Sequence, residues 1–229
     1  MESWHTIQLI PSYGRKRCRG LSDTQKNDIT TLYPLYGITS LEDHRDLFGE
    51  RYSHITLEIG FGNGEWLISQ ALSWPMTGFI GCDPFENGVA AALRDIHRLC
   101  LKNVRIFKGD ARVLLEKFSE RSIDRICTLF PDPWRKRKHH KRRLLSAEFI
   151  SNLAHKVTFA GDIIIATDHD DYLSEILKNL RQIPDITYSA DPEVLSKKPA
   201  CFGRTKYESR ALDSGRKCYY LRICPSVAQ

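Results

Sequence analysis

Five short apolar runs recur at regular intervals through the middle of the chain, and they leave few folds open. They are ITLEIG (55–60), TGFIGCD (77–83), VRIFKGD (104–110), IDRICTLF (123–130) and GDIIIATD (161–168). Segments with a helical period follow them: GEWLISQALS, PFENGVAAALRDIHRLCL, ARVLLEKF, SAEFISNLAHKV and HDDYLSEILKNL. Strand–helix alternation at this spacing predicts a parallel sheet with helices on both faces. The fourth and fifth runs are almost wholly apolar, as strands covered on both sides should be. DITYSA and KCYYLRI add two late strands, with CFGRTKYESRALDSG read as irregular between them. The expected architecture is α/β, a doubly wound and mostly parallel seven-stranded sheet spanning residues 51–229. Residues 1–50 show no clear period and are read as an extended basic arm followed by a short helix in SLEDHRDLF.

Ligands of such sheets collect at the carboxyl ends of the strands. Carboxylates recur at that edge. Asp83 ends the second strand, Asp110 the third and Asp168 the fifth; Asp132 follows the fourth, and Glu58 lies within the first. One acidic strand end is ordinary turn chemistry. Five on one edge repel each other unless ligands use them. The first turn reads EIGFGNG. Gly60, Gly62 and Gly64, at alternate positions, let the backbone bend sharply and approach a ligand closely. The spacing is not the G-x-G-x-x-G of dinucleotide sites, and the turn lacks the lysine of a nucleoside triphosphate loop.

The segment FPDPWRKRKHHKRRL holds the other chemistry. Pro131 and Pro133 fix φ on both sides of Asp132, a stiff mount for a reacting carboxylate. The run from Arg135 to Arg143 holds seven cations and two histidines, while the whole chain carries only +6, so the remainder is slightly acidic. Charge gathered in this way suits a polyanion, and Arg137, Lys138, His139, His140, Lys141, Arg142 and Arg143 are the expected phosphate contacts. Arg15, Lys16, Arg17 and Arg19 form a second basic cluster. Trp134 could stack on a base or pack beneath the loop, and packing is the commoner fate of a lone Trp.

No apolar run nears the roughly 20 residues of a membrane span. The amino-terminal residues lack the order of a secretory signal. The seven cysteines are scattered without a CxxC pair, so no metal site is expected. A cytoplasmic protein is the expectation, with no obligatory protein partner apparent.

The E-x-G-x-G-x-G turn resembles the first motif of S-adenosylmethionine-dependent methyltransferases. FPDPWRKRKHHKRRL, with LEIGFGNG upstream and TKYE downstream, is similar to the bacterial tRNA (guanine-N(7)-)-methyltransferase family, in the family's order from about residue 55 to 223. The resemblance implies a Rossmann-like class I fold. It also implies methyl transfer from S-adenosylmethionine to nitrogen 7 of a variable-loop guanine (position 46) in tRNA. It places Glu58, Asp83, Asp110, Asp132 and the three glycines at the cofactor, with Asp132 at the active site. It places Lys136, Asp168, Thr205, Lys206, Tyr207 and Glu208 at the substrate. Two departures stand out: Asp83 occupies a position often held by Glu, and KPACFGR before Thr205 lacks the expected Arg-Pro. The rival readings are a methyltransferase acting on another RNA, and a noncatalytic RNA-binding module.

Overall fold

The computed structural model describes residues 20–39, 47–199 and 202–226. The basic cluster at residues 15–19 and most of SLEDHRDLF lie outside them. A seven-stranded sheet forms the centre, in the order β3-β2-β1-β4-β5-β7-β6. The strands are β1 (His54–Ile59), β2 (Thr77–Cys82), β3 (Val104–Phe107), β4 (Ile123–Leu129), β5 (Val157–Thr167), β6 (Ile186–Tyr188) and β7 (Tyr219–Pro225). The first five run parallel, and β7 enters antiparallel between β5 and β6. The predicted doubly wound sheet is therefore present, with the strand order reversing between β1 and β4.

The helices are α1 (Asp23–Tyr36), α2 (Glu65–Ser73), α3 (Glu86–Arg98), α4 (Ala111–Leu115), α5 (Ala147–Lys156), α6 (Asp170–Leu180), α7 (Pro192–Leu195) and α8 (Lys206–Asp213). No described helix is long and apolar enough to cross a membrane. Leu57, Ile80, Ile126, Ile163 and Ile165 are fully buried, with Leu114, Ile150, Leu153 and Tyr172 from the helices around them. Burying side chains of this size contributes about 1.5–3 kcal/mol each relative to exposure.

Two elements differ from the sequence reading. The stretch read as part of an extended arm contains α1, fourteen residues long. Its start is a reciprocal cap: the Gln25 backbone N–H donates to Ser22 Oγ (3.2 Å) and the Ser22 N–H donates to Gln25 Oε1 (3.1 Å). The helix docks on α3 through Arg94 Nε–Asp28 Oδ2 (2.9 Å) and Tyr36 Oη–His97 Nδ1 (3.1 Å). Ile38 then donates to the Ile106 carbonyl (2.8 Å), extending β3's edge. The stretch read as irregular contains α8, begun by a second reciprocal cap at Thr205.

Candidate active site

The turn after β1 is left-handed three times, with φ of +79° at Gly60, +59° at Gly62 and +86° at Gly64. An L side chain is strained in each position. A Cβ added at Gly60 would meet nothing within 4 Å, so the turn opens a cradle there. Its far wall is the start of α3, which comes so near that a Cβ on Gly88 would sit 1.9 Å from the Gly62 carbonyl oxygen.

Glu58 stands below this cradle, 3% exposed. Burial pushes its carboxyl well above the usual range, and the charges of Asp83 and Glu65 push the same way. Glu58 Oε2 is buried and has no hydrogen-bond partner among the described residues. A buried carboxylate oxygen left without a donor fits a ligand that brings one, or that brings positive charge.

Asp83 follows β2, 7% exposed. Its Oδ2 accepts from the Gly62 N–H and its Oδ1 from the Phe85 N–H, both at 2.8 Å. Burial raises its pKa to about 6 against these bonds, with a further push from the charge of Asp132. Each oxygen keeps a lone pair for a hydroxyl. Asp110 instead caps α4, accepting from the Arg112 N–H (2.9 Å) and pairing with the Arg112 guanidinium (2.8 and 2.6 Å). A base placed there meets an Arg–Asp pair rather than a lone carboxylate.

Asp132 is exposed beyond the end of β4. The prolines are only part of what shapes its mount. Phe130 has φ +54° and Trp134 has φ +44°, so non-glycine residues in the left-handed region stand two positions away on either side. Such residues are held only where the surroundings over-determine them, and they cluster at functional sites. The sequence carries no signal for either. Phe130 is tied by its N–H to the Ala166 carbonyl (2.8 Å).

The basic run forms a 3-10 turn, Arg137–Arg142, folded back over Trp134. The Arg142 guanidinium carbon lies 5.0 Å from the indole centroid, and His139 stands edge-on to it at 5.8 Å. Trp134 thus packs beneath the run. Lys136, Arg137, Lys138 and Lys141 are exposed. Desolvation and the surrounding cations hold His139 below the ordinary imidazole range. Arg143 departs from the expected phosphate contacts. Its side chain is 1% exposed and is taken up by the protein itself, on Asp171 and Glu175.

The residues expected at the substrate divide in two. Lys206 and Tyr207 are exposed, and Tyr207 reaches the glycine turn: a Cβ on Gly62 would lie 3.9 Å from its ring edge. Thr205 and Glu208 are occupied in capping α8. Glu208 also accepts from Lys198 Nζ (2.6 Å) and Tyr220 Oη (2.5 Å). Burial raises its pKa, but those hydrogen bonds, the Lys198 charge and the Thr205 N–H together hold it below the usual value. Asp168 is paired with Arg216, which no sequence motif had singled out.

Residues 52–221 match a family model described as "Putative methyltransferase". The tRNA (guanine-N(7)-)-methyltransferase of Wolbachia pipientis wMel is 37% identical over 198 residues, covering 86% of this chain and 87% of its own. The chain belongs to the tRNA (guanine-N(7)-)-methyltransferase family. A second relative of that name, from Zymomonas mobilis subsp. mobilis, is 36% identical over 213 residues, 92% of each chain. Solved structures agree on the fold of this methyltransferase. The antibiotic-resistance methyltransferase Kmr matches with a TM-score of 0.54 and 16% identity, over 79% of this chain and 90% of that one. The aminoglycoside resistance methyltransferase NpmB1 matches at 0.54 and 17%, over 79% and 91%.

Proposed function

We propose that this family member methylates nitrogen 7 of a variable-loop guanine in tRNA, with S-adenosylmethionine as the donor. The observation that carries the reading is the placement of Asp132. It projects from a turn bounded by two left-handed residues, with its charge felt at Asp83 on one side and the cationic turn on the other.

Bound S-adenosylmethionine supplies an electrophilic methyl group. Glu58 and the glycine cradle suit its cationic methionine end, and Asp83 suits its ribose hydroxyls. Nitrogen 7 already bears an in-plane lone pair and no proton, so the protein needs no obligatory base there. Its task is alignment, a proximity effect. Asp132 accepts from the N–H edge of the guanine and offsets the positive charge that appears on the base. Tyr207, beside Gly62, is suited to close the site, and Lys136 and Asp168 complete the proposed substrate contacts. The exposed cations of the 3-10 turn hold phosphates and orient the RNA without reading its sequence.

Incubation with methyl-labelled S-adenosylmethionine and bulk tRNA, followed by nucleoside digestion, tests the reading. Label in 7-methylguanosine is the expected result. Label in another nucleoside, or only in another RNA, redirects the substrate. RNA binding with no transfer leaves a noncatalytic module.

A further inference from the structure

Arg143 belongs to the cationic run in sequence and to the interior in the fold. Each guanidinium nitrogen has a partner. Nε donates to the Pro133 carbonyl (2.8 Å), one terminal nitrogen donates to Asp171 Oδ2 (2.6 Å), and the other is paired with Glu175. The guanidinium carbon lies 4.8 Å from the ring centroid of Tyr172, which is itself fully buried. Asp171 and Glu175 are one turn apart on α6, so both face the same guanidinium. His140 stands 3.7 and 3.8 Å from these two carboxylates. The Arg143 backbone N–H donates to the His140 carbonyl (2.9 Å), closing the 3-10 turn.

The result is a strut from α6 to the Pro133–Trp134 peptide, one residue past Asp132. A planar guanidinium offers rigid, diverging N–H groups that an ammonium cannot reproduce. One end is fixed by two carboxylates, and the other holds a carbonyl between Asp132 and the left-handed Trp134. With no surface left for phosphate, the side chain has one remaining consequence for the reaction. We infer that Arg143 is a positioning residue, which fixes Asp132 through the Pro133 carbonyl and does not contact RNA. The inference rests on the reading of Asp132 as the group that faces the base.

The test compares Arg143→Lys, Asp132→Asn and the double variant in single-turnover transfer at saturating tRNA and S-adenosylmethionine. Cofactor affinity and the salt dependence of tRNA binding are measured alongside. Misplacing a reacting group by about 1 Å costs on the order of 10²-fold, so Arg143→Lys should slow transfer by about 10- to 100-fold. Its cofactor affinity and salt slope should match the parent's. The double variant should be no slower than Asp132→Asn alone, because residues acting as one unit are non-additive.

A salt slope reduced by about 0.7–0.9 would mark a lost phosphate contact and overturn the proposal. So would independent, multiplicative losses in the double variant, or an Arg143→Lys rate within about threefold of the parent, well under a tenfold step. If Asp132→Asn keeps the parent rate while Arg143→Lys is slow, the role given to Asp132 fails, and the strut serves another group. If Arg143→Lys does not fold, Glu175→Gln takes its place. It keeps Arg143 and loosens one anchor, and it should give the same pattern at a smaller, severalfold loss, with the same outcomes overturning the proposal.

Discussion

Thr205 and Glu208 cap each other. The Glu208 N–H donates to Thr205 Oγ1 at 3.0 Å, and the Thr205 N–H donates to Glu208 Oε2 at 3.3 Å. The TKYE segment, expected at the substrate, therefore divides its labour. Its outer residues start a helix, and its inner two, Lys206 and Tyr207, face outward.

Thr205→Val should remove one cap, at about 1 kcal/mol, and lower Tm by about 2–4 °C in a chain of this size. Glu208→Ala should do more, because it also strands the Tyr220 hydroxyl and the Lys198 ammonium. Tyr207→Ala should leave Tm unchanged and slow methyl transfer. Thermal melts with parallel transfer assays separate the two kinds. A stable Glu208→Ala protein that cannot bind tRNA would return that carboxylate to the substrate.

Cofactor affinity should fall as pH drops through about 6. Asp83 titrates near that value because burial disfavours its charge, and the charged form is the better acceptor for ribose hydroxyls. The sign for stability is opposite. A carboxyl raised from 3.8 to about 6 contributes stability to the free protein that is full below 3.8 and lost as pH rises through about 6. Calorimetric titrations between pH 5 and 8 check the first trend, and Asp83→Ala should bind weakly with that pH dependence flattened.

Glu58→Gln should stabilise the ligand-free protein at pH 8 and change little at pH 5. The folded-state pKa of Glu58 is raised, so its contribution is present at low pH and disappears as pH climbs through the raised value. A neutral amide escapes that loss. The same variant should lose most of the thermal shift that S-adenosylmethionine gives the parent. Melts at the two pH values, with and without S-adenosylmethionine, decide it. Equal destabilisation at both would make Glu58 a structural acceptor only.

Replacing Arg137, Lys138 and Lys141 together with Ala should weaken tRNA binding and flatten its dependence on salt by about 2–3 in log–log slope. Cofactor affinity should persist, since these side chains are exposed to solvent on the 3-10 turn. Filter binding across a salt series reads the slope. An unchanged slope would reduce the run to a solvated loop.

β4 and β5 were legible because their carboxyl-terminal halves are buried and read as short, mostly apolar stretches, Ile126–Leu129 and Ile163–Ala166. The carboxylates at their ends followed from the same pattern. The helix α1 escaped because it buries little beyond Tyr36; its one local signal was Ser22 followed by Gln25. The same kind of signal, Thr205 followed by Glu208, was absorbed into a motif. In the cationic run, no spacing separated Arg143 from its six neighbours. What separates it is the apolar pair Leu144–Leu145 immediately after it, where the chain dives under α6 and Leu145 becomes fully buried. The partners of Asp168 and Asp110 depend on rotamers and loop paths that a linear pattern does not encode.

The place of β7 has a consequence for incomplete chains. It lies inside the sheet, pairing Ile163–Thr167 of β5 on one side and Ile186–Tyr188 of β6 on the other. A polypeptide stopped before Tyr219 would leave β6 without a partner and the Ile163–Ile165 row of β5 as an open, apolar edge, the kind that recruits other strands. It would also lack Tyr220, the hydroxyl that steadies Glu208. Nonsense or frameshift lesions late in the gene should therefore yield aggregating protein for the cell's proteases to clear, rather than a shortened enzyme with partial activity.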